Sequence, residues 1–119
     1  MQTTLTICLS CGMKQRDENG NKLPNPVAEE LAANVTTLLA TNPDISVRLV
    51  RCISICNTPI AWALQHPQKH TSSFAPATTA EDLAATARAY HTNPVSKLPK
   101  KDMPPAVAPT VISRIPPAE

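Results

Sequence analysis

Residues 3–11 read TTLTICLSC, and residues 45–56 read ISVRLVRCISIC. In both runs apolar and polar residues alternate before the chain reaches a pair of cysteines, Cys8 with Cys11 and Cys52 with Cys56. Alternation with a period of two is typical of a half-buried β-strand. These four residues are the only cysteines in the 119-residue chain. The two runs therefore predict two strands, each with a pair of thiols at its carboxyl end.

A helix is predicted between these strands. Asn25-Pro26 supplies a capping residue and a proline at the first helical position, and Asn42-Pro43 marks the end. The apolar positions recur every three or four residues: Val27, Leu31, Val35 and Leu38. A strand-helix-strand unit in one sheet almost always joins parallel strands. We therefore expect the carboxyl ends of both strands, and with them the four thiols, to lie at one edge of the sheet.

The next residues predict a hairpin and a second helix. Ile60, Trp62 and Leu64 alternate with alanines, and a turn at residues 66–68 leads to a fourth strand near residues 70–75. Thr79 and Asp82 then resemble a capping box. One helix face is marked by Leu83, Ala84, Ala87 and Tyr90, and the helix is expected to end before Asn93-Pro94. The predicted fold is α/β, in the order β-α-β-β-β-α, with two helices on a four-stranded mixed sheet.

The composition changes after this helix. Seven of the thirteen prolines lie in the last 26 residues. We therefore divide the chain into a domain over residues 1–93 and a Pro-rich extended tail over residues 94–119. The tail still carries Val107, Val111, Ile112 and Ile115. These apolar residues favour a tail that lies along the domain.

Composition also excludes several classes of function. A net charge of +2 with no basic block gives no indication of nucleic-acid binding. No run approaches the ~18 apolar residues of a membrane span, and the first residues do not resemble a signal peptide, so a cytoplasmic protein is expected. With Gly12 and Gly20 as the only glycines, phosphate-cradling loops are excluded. We predict no catalytic residues, and we expect the three histidines, His66, His70 and His91, to lie at the surface.

Paired cysteines in the cytoplasm indicate metal or redox chemistry, because thiols there are kept reduced. The chain resembles the thioredoxin-like [2Fe-2S] ferredoxins in this order of elements and in its cysteine spacing, which is Cys-x2-Cys, a gap of forty residues and Cys-x3-Cys. The chain resembles more closely a bacterial family of predicted metal-binding proteins, domain of unknown function 1636. The matching segments are residues 4–11, TLTICLSC; residues 50–56, VRCISIC, with Pro59; and residues 112–117, ISRIPP. The first cysteine pair is closer in sequence than in the ferredoxins, whereas the second pair has the ferredoxin spacing.

The resemblance implies a thioredoxin-like fold and a [2Fe-2S] cluster used for electron transfer or redox sensing, not for catalysis. The implied metal and cofactor ligands are Cys8, Cys11, Cys52 and Cys56. The resemblance also implies a redox protein as the partner, and whether the chain forms a homodimer stays open. Four basic residues close in sequence are available to offset the negative charge of such a centre: Lys14, Arg16, Arg48 and Arg51.

Three other interpretations of the cysteines stay open. Cys8 and Cys11 with Gly12 resemble a zinc knuckle, so four thiolates are also a potential zinc site. Cys8-x2-Cys11 after a strand, with Thr58-Pro59 before the third strand, is similar to a thioredoxin-like dithiol oxidoreductase. Finally, all four cysteines could be buried as small apolar side chains.

Overall fold

The fold is a mixed β-sheet that carries two α-helices, seen in a computed structural model that describes residues 2–8, 18–19, 25–50, 60–93 and 98–115. The elements, in chain order, are β1 (Thr3–Cys8), α1 (Pro26–Leu38), β2 (Ile45–Val50), β3 (Trp62–His66), β4 (Lys69–Phe74), α2 (Ala80–Thr92) and β5 (Val111–Ile115). Two short 3-10 helices, Lys100–Asp102 and Ala108–Thr110, lie between α2 and β5. The predicted order of the first six elements is confirmed.

Strand pairing follows the order β2-β1-β3-β4-β5. β1 and β2 are parallel, with Thr3 opposite Ile45 and Cys8 opposite Val50, and β3, β4 and β5 continue the sheet in antiparallel pairs. The parallel pair is the arrangement that the strand-helix-strand unit predicted.

The prediction of four strands is wrong, because the described residues form a sheet of five. β5 lies within residues 94–119, where an extended tail was predicted, and it pairs with β4 so that Ser113 lies opposite Ser73. β5 is an edge strand with a register shift between Ser73 and Phe74. In a half-exposed edge strand, apolar and polar residues alternate only weakly. The prolines around this segment indicated an extended tail, so the strand was not predicted.

Side-chain caps fix the starts of both helices. The Asn25 side chain accepts a hydrogen bond from the backbone N–H of Val27 at 2.9 Å, and Thr79 Oγ1 accepts one from Asp82 N at 3.2 Å. Both caps are those that the sequence predicted. The end of α1 differs, since the helix stops at Leu38 and not at Asn42-Pro43.

The predicted stripe of α1 is confirmed except at Val27, which is 62% exposed. Val35 is buried, and Leu31 and Leu38 are partly buried and pack against the core. Ala28 and Ala32, which the stripe did not include, are also buried. On α2 the predicted residues are buried: Leu83, Ala84, Ala87 and Tyr90. Small alanines on both helices allow them to pack closely on each other and on the sheet.

One hydrophobic core joins the helices to the sheet. Its largest fully buried side chains are Trp62, Tyr90 and Phe74, and the rings of Trp62 and Phe74 stack at 4.2 Å between centroids. The C-terminal segment adds three buried residues to the core: Leu98, Met103 and Val107. Residues 98–115 therefore lie along the domain. Across the described part of the chain, neither helix has the length and apolar character needed to cross a membrane.

Candidate metal centre

Cys8 is the candidate ligand that the structure describes. It is the last residue of β1, its side chain is fully buried, and its backbone N–H donates to Ala61 O at 3.0 Å. Its neighbour on the parallel side is Val50, the last residue of β2. Adjacent strands lie about 4.8 Å apart, so the chain leaves both strands side by side at one edge of the sheet.

The other three candidate ligands, Cys11, Cys52 and Cys56, lie outside the described residues, as do Lys14, Arg16, Arg51 and Thr58-Pro59. The structure thus confirms the parallel strands on which the site prediction depends. That the four thiols lie close together stays a prediction. Within the described ranges, no group of three or more histidine, cysteine or carboxylate side chains is placed to hold a metal ion.

A polar network lies on the sheet face that Cys8 shares. Successive side chains of a strand point to opposite faces, so Thr6 and Cys8 lie on one face, and Leu5 and Ile7 on the other. Arg48 of β2 lies opposite Thr6, and its Nε donates to Thr6 Oγ1 at 2.9 Å. Its Nη2 donates to Gln65 Oε1 of β3, also at 2.9 Å.

In the sequence, Arg48 stands out only for its closeness to the cysteines, so this network was missed. The contact between Arg48 and Thr6 could have been predicted, because aligning Cys8 with Val50 in a parallel pair places Thr6 beside Arg48. Nothing in the sequence indicated Gln65, since its place depends on the antiparallel register that puts it opposite Thr4.

A second polar cluster lies at the other end of the sheet. The Lys69 ammonium donates to three carbonyl oxygens at the end of α2: those of Tyr90, His91 at 3.0 Å and Asn93 at 2.6 Å. Burial lowers the pKa of Lys69, so its charged form depends on these carbonyls and on the negative end of the helix dipole. This cluster was also missed, because its members are more than twenty residues apart in sequence.

The histidines lie around this second cluster. His66 and His91 are partly buried, with ring centroids 6.2 Å apart, and His91 Nδ1 lies 2.7 Å from Thr3 Oγ1. Burial, followed by the nearby charges of Lys69 and His91, lowers the pKa of His66. The positive charge of Lys69 disfavours the binding of a metal cation at this end of the sheet. The structure therefore gives the histidines no part in the candidate centre.

The architecture and the placement of Cys8 define the class: a thioredoxin-like α/β protein with a thiol at the carboxyl edge of its parallel strand pair. The whole chain is similar to the structure of a thioredoxin-like [2Fe-2S] ferredoxin from Aquifex aeolicus, with a TM-score of 0.59 and 12% identity. The similarity covers 99% of this chain and 97% of the ferredoxin. It shows a shared fold, as the sequence predicted.

Residues 5–117 match the family described as protein of unknown function, DUF1636, and the chain belongs to this family. This confirms the resemblance drawn from the cysteine segments. A comparison with curated proteins found no match.

Proposed function

We propose that the protein is an electron carrier that holds a [2Fe-2S] cluster through Cys8, Cys11, Cys52 and Cys56. The observation that carries the proposal is the parallel pairing of β1 with β2, which puts Cys8 opposite Val50. A tetrathiolate fits the soft metal of such a cluster.

Covalent geometry supports the sharing of one site by the two cysteine pairs. Cys52 follows Val50 by two residues, and consecutive Cα atoms are about 3.8 Å apart. The Cα atom of Cys52 is therefore within about 7.6 Å of that of Val50, which is itself the strand neighbour of Cys8. The x2 and x3 spacings let each loop offer two sulfurs.

The protein's own residues supply the surroundings that a cluster needs. Cys8 is fully buried, which keeps water from its sulfur, and the β1 backbone that carries it is paired on both sides. A thiol on a rigid, doubly paired strand keeps its position when the charge of the site changes. A [2Fe-2S] cluster, when bound, supplies reversible one-electron chemistry.

The protein with the same fold supports electron transfer over catalysis, because it is a [2Fe-2S] ferredoxin. We place the protein in the cytoplasm, where reduced thiols are available for cluster assembly, and we propose a redox protein as its partner.

Anaerobic purification with metal and sulfide analysis tests the proposal. We expect brown protein with iron and acid-labile sulfide in equal amounts and an absorption spectrum that bleaches on reduction. Replacement of any one of the four cysteines by serine, in particular Cys8→Ser, should abolish or alter the spectrum. Ser10→Ala, a change between the first two cysteines, is the matched control and should leave the spectrum unchanged.

Two results would contradict the cluster. Colourless protein with one bound zinc would establish the four-cysteine zinc site. Metal-free protein that reduces a disulfide substrate, and loses this activity in Cys11→Ser, would establish the dithiol oxidoreductase.

A further inference from the structure

We propose that Arg48 is a positioning residue that holds a fixed positive charge beside the four-cysteine centre and thereby raises its reduction potential. This inference rests on the proposed function. It assigns to Arg48 a role that its place in the sequence alone does not define.

The guanidinium of Arg48 is held by residues from two neighbouring strands. It donates to Thr6 Oγ1 on β1 and to Gln65 Oε1 on β3, each at 2.9 Å, so that it lies across three adjacent strands. Thr6 is only 3% exposed, and it gives the guanidinium a fixed partner. Two hydrogen bonds from one planar group fix both its position and its orientation.

Both partners are neutral. A hydroxyl and an amide oxygen hold the guanidinium in place without cancelling its charge, in contrast to the carboxylates that arginine more often pairs with. Glu29 of α1 lines a groove at the β2 edge together with Arg48, but the two hydrogen bonds draw the guanidinium away from the helix and over the sheet. The positive charge therefore remains available to act on its surroundings.

The surroundings on this face include Cys8. Thr6 and Cys8 are two residues apart on one face, which is about 6.7 Å along a strand. On β2, Arg48 and Val50 are likewise two residues apart, with Arg48 opposite Thr6 and Val50 opposite Cys8. The Nη2 contact with Gln65, which lies opposite Thr4, turns the guanidinium toward the Thr4 side of Thr6, so it lies roughly 10 Å from the sulfur position at the end of β1.

The sign of the effect follows from the charges. Reduction adds an electron to a centre that four thiolates already make negative, and a nearby positive charge favours the reduced state. At about 10 Å and an effective dielectric constant near 20–30, one unit charge changes the equilibrium constant for one-electron reduction about tenfold. Arg48→Gln is therefore expected to lower the potential by about 59 mV, the value of a tenfold change for one electron.

The experiment measures the reduction potential of the full-length, cluster-loaded protein for the wild type, Arg48→Gln and Arg48→Lys. Lysine keeps the charge but loses the planar pair of donors, so its potential should fall between the other two. Because the guanidinium is solvent-exposed, the difference between wild type and Arg48→Gln should shrink at high salt. As a second measurement, zinc affinity of the metal-free protein is followed by competition with a coloured chelator. Four neutral thiols become a doubly negative zinc tetrathiolate, so the affinity should be weaker in Arg48→Gln by up to about a hundredfold.

Arg88→Gln is the matched control. Arg88 also donates to neutral groups, the Asn42 side chain at 3.0 Å and the Leu38 carbonyl, but these lie near the start of β2, at the end of the strands opposite to Cys8. Removing this charge should leave both the potential and the zinc affinity unchanged.

The outcomes separate the two proposals. If the wild type binds neither a cluster nor zinc through its cysteines, the proposed function fails and the role of Arg48 fails with it. If the wild type is loaded but Arg48→Gln matches it in potential and in zinc affinity, the role of Arg48 alone is refuted. Equal shifts in Arg48→Gln and Arg88→Gln would also refute it, because the effect would then reflect net charge and not position.

Discussion

Lys69→Met is expected to destabilise the fold by about 2–4 kcal/mol. The ammonium of Lys69 donates to the carbonyls of Tyr90, His91 and Asn93, and the last carbonyls of a helix have no partner within the helix itself. A hydrogen bond to a charged group contributes about 1.5–3 kcal/mol. The three bonds share one ammonium whose burial opposes its charge, so their contributions do not add fully. Methionine keeps an apolar stem of similar length and removes the ammonium, with its charge and its three hydrogen bonds.

Urea unfolding followed by circular dichroism measures this loss. With an m-value of roughly 1.5 kcal/mol/M for a domain of this size, the midpoint should fall by about 1.3–2.7 M without a change in slope. Lys101→Met, at an exposed position of the first 3-10 helix, is the matched control and should change stability by less than about 0.5 kcal/mol. If Lys69→Met changes the midpoint no more than Lys101→Met does, the helix-end contacts do not stabilise the fold and the reasoning is refuted.

Three further predictions concern pH, a buried hydroxyl and the C-terminal segment. The pKa of His66 is lowered from its ordinary 6.5, so the unfolded chain binds more protons just below that pH, and stability should fall as the pH drops through 6.5. Urea midpoints at pH 7.5 and 5 should show this fall for the wild type and a smaller one for His66→Gln; equal falls would contradict it. Tyr90→Phe removes the hydroxyl that donates to His70 O at 2.7 Å, and should cost about 1 kcal/mol by urea unfolding; an unchanged midpoint would contradict this. Val107→Ala should cost about 2 kcal/mol because Val107 is fully buried, whereas Ile112→Ala at a half-exposed site should cost far less; similar losses would count against a core role for this segment.

Local sequence signals were sufficient for most of the fold. Asn25 and Thr79 act at short range on the helices that they begin, so their neighbours in sequence revealed them. The alternation in β1 and β2 likewise reflects one buried face. The parallel pairing then followed from the handedness rule for the strand-helix-strand unit and needed no contact information.

The remaining features depend on contacts between distant residues. β5 is stabilised by pairing with β4, and its own pattern alternates too weakly to show a strand. Lys69 and Arg48 find their partners only after the sheet has formed, because the register decides which side chains meet. For the candidate site, sequence predicted the parallel edge at Cys8, whereas the neutral anchors of Arg48 could be seen only in the structure.

The position of β5 at the outer edge also bears on how the chain avoids aggregation. An unpaired strand edge exposes backbone donors and acceptors that can template intermolecular sheets. β5 covers the outer edge of β4, and the sequence places Pro109 before β5 and Pro116-Pro117 after it. Proline has no backbone N–H to offer a further strand, so prolines directly next to β5 in the sequence limit the length of edge on which a further strand can pair.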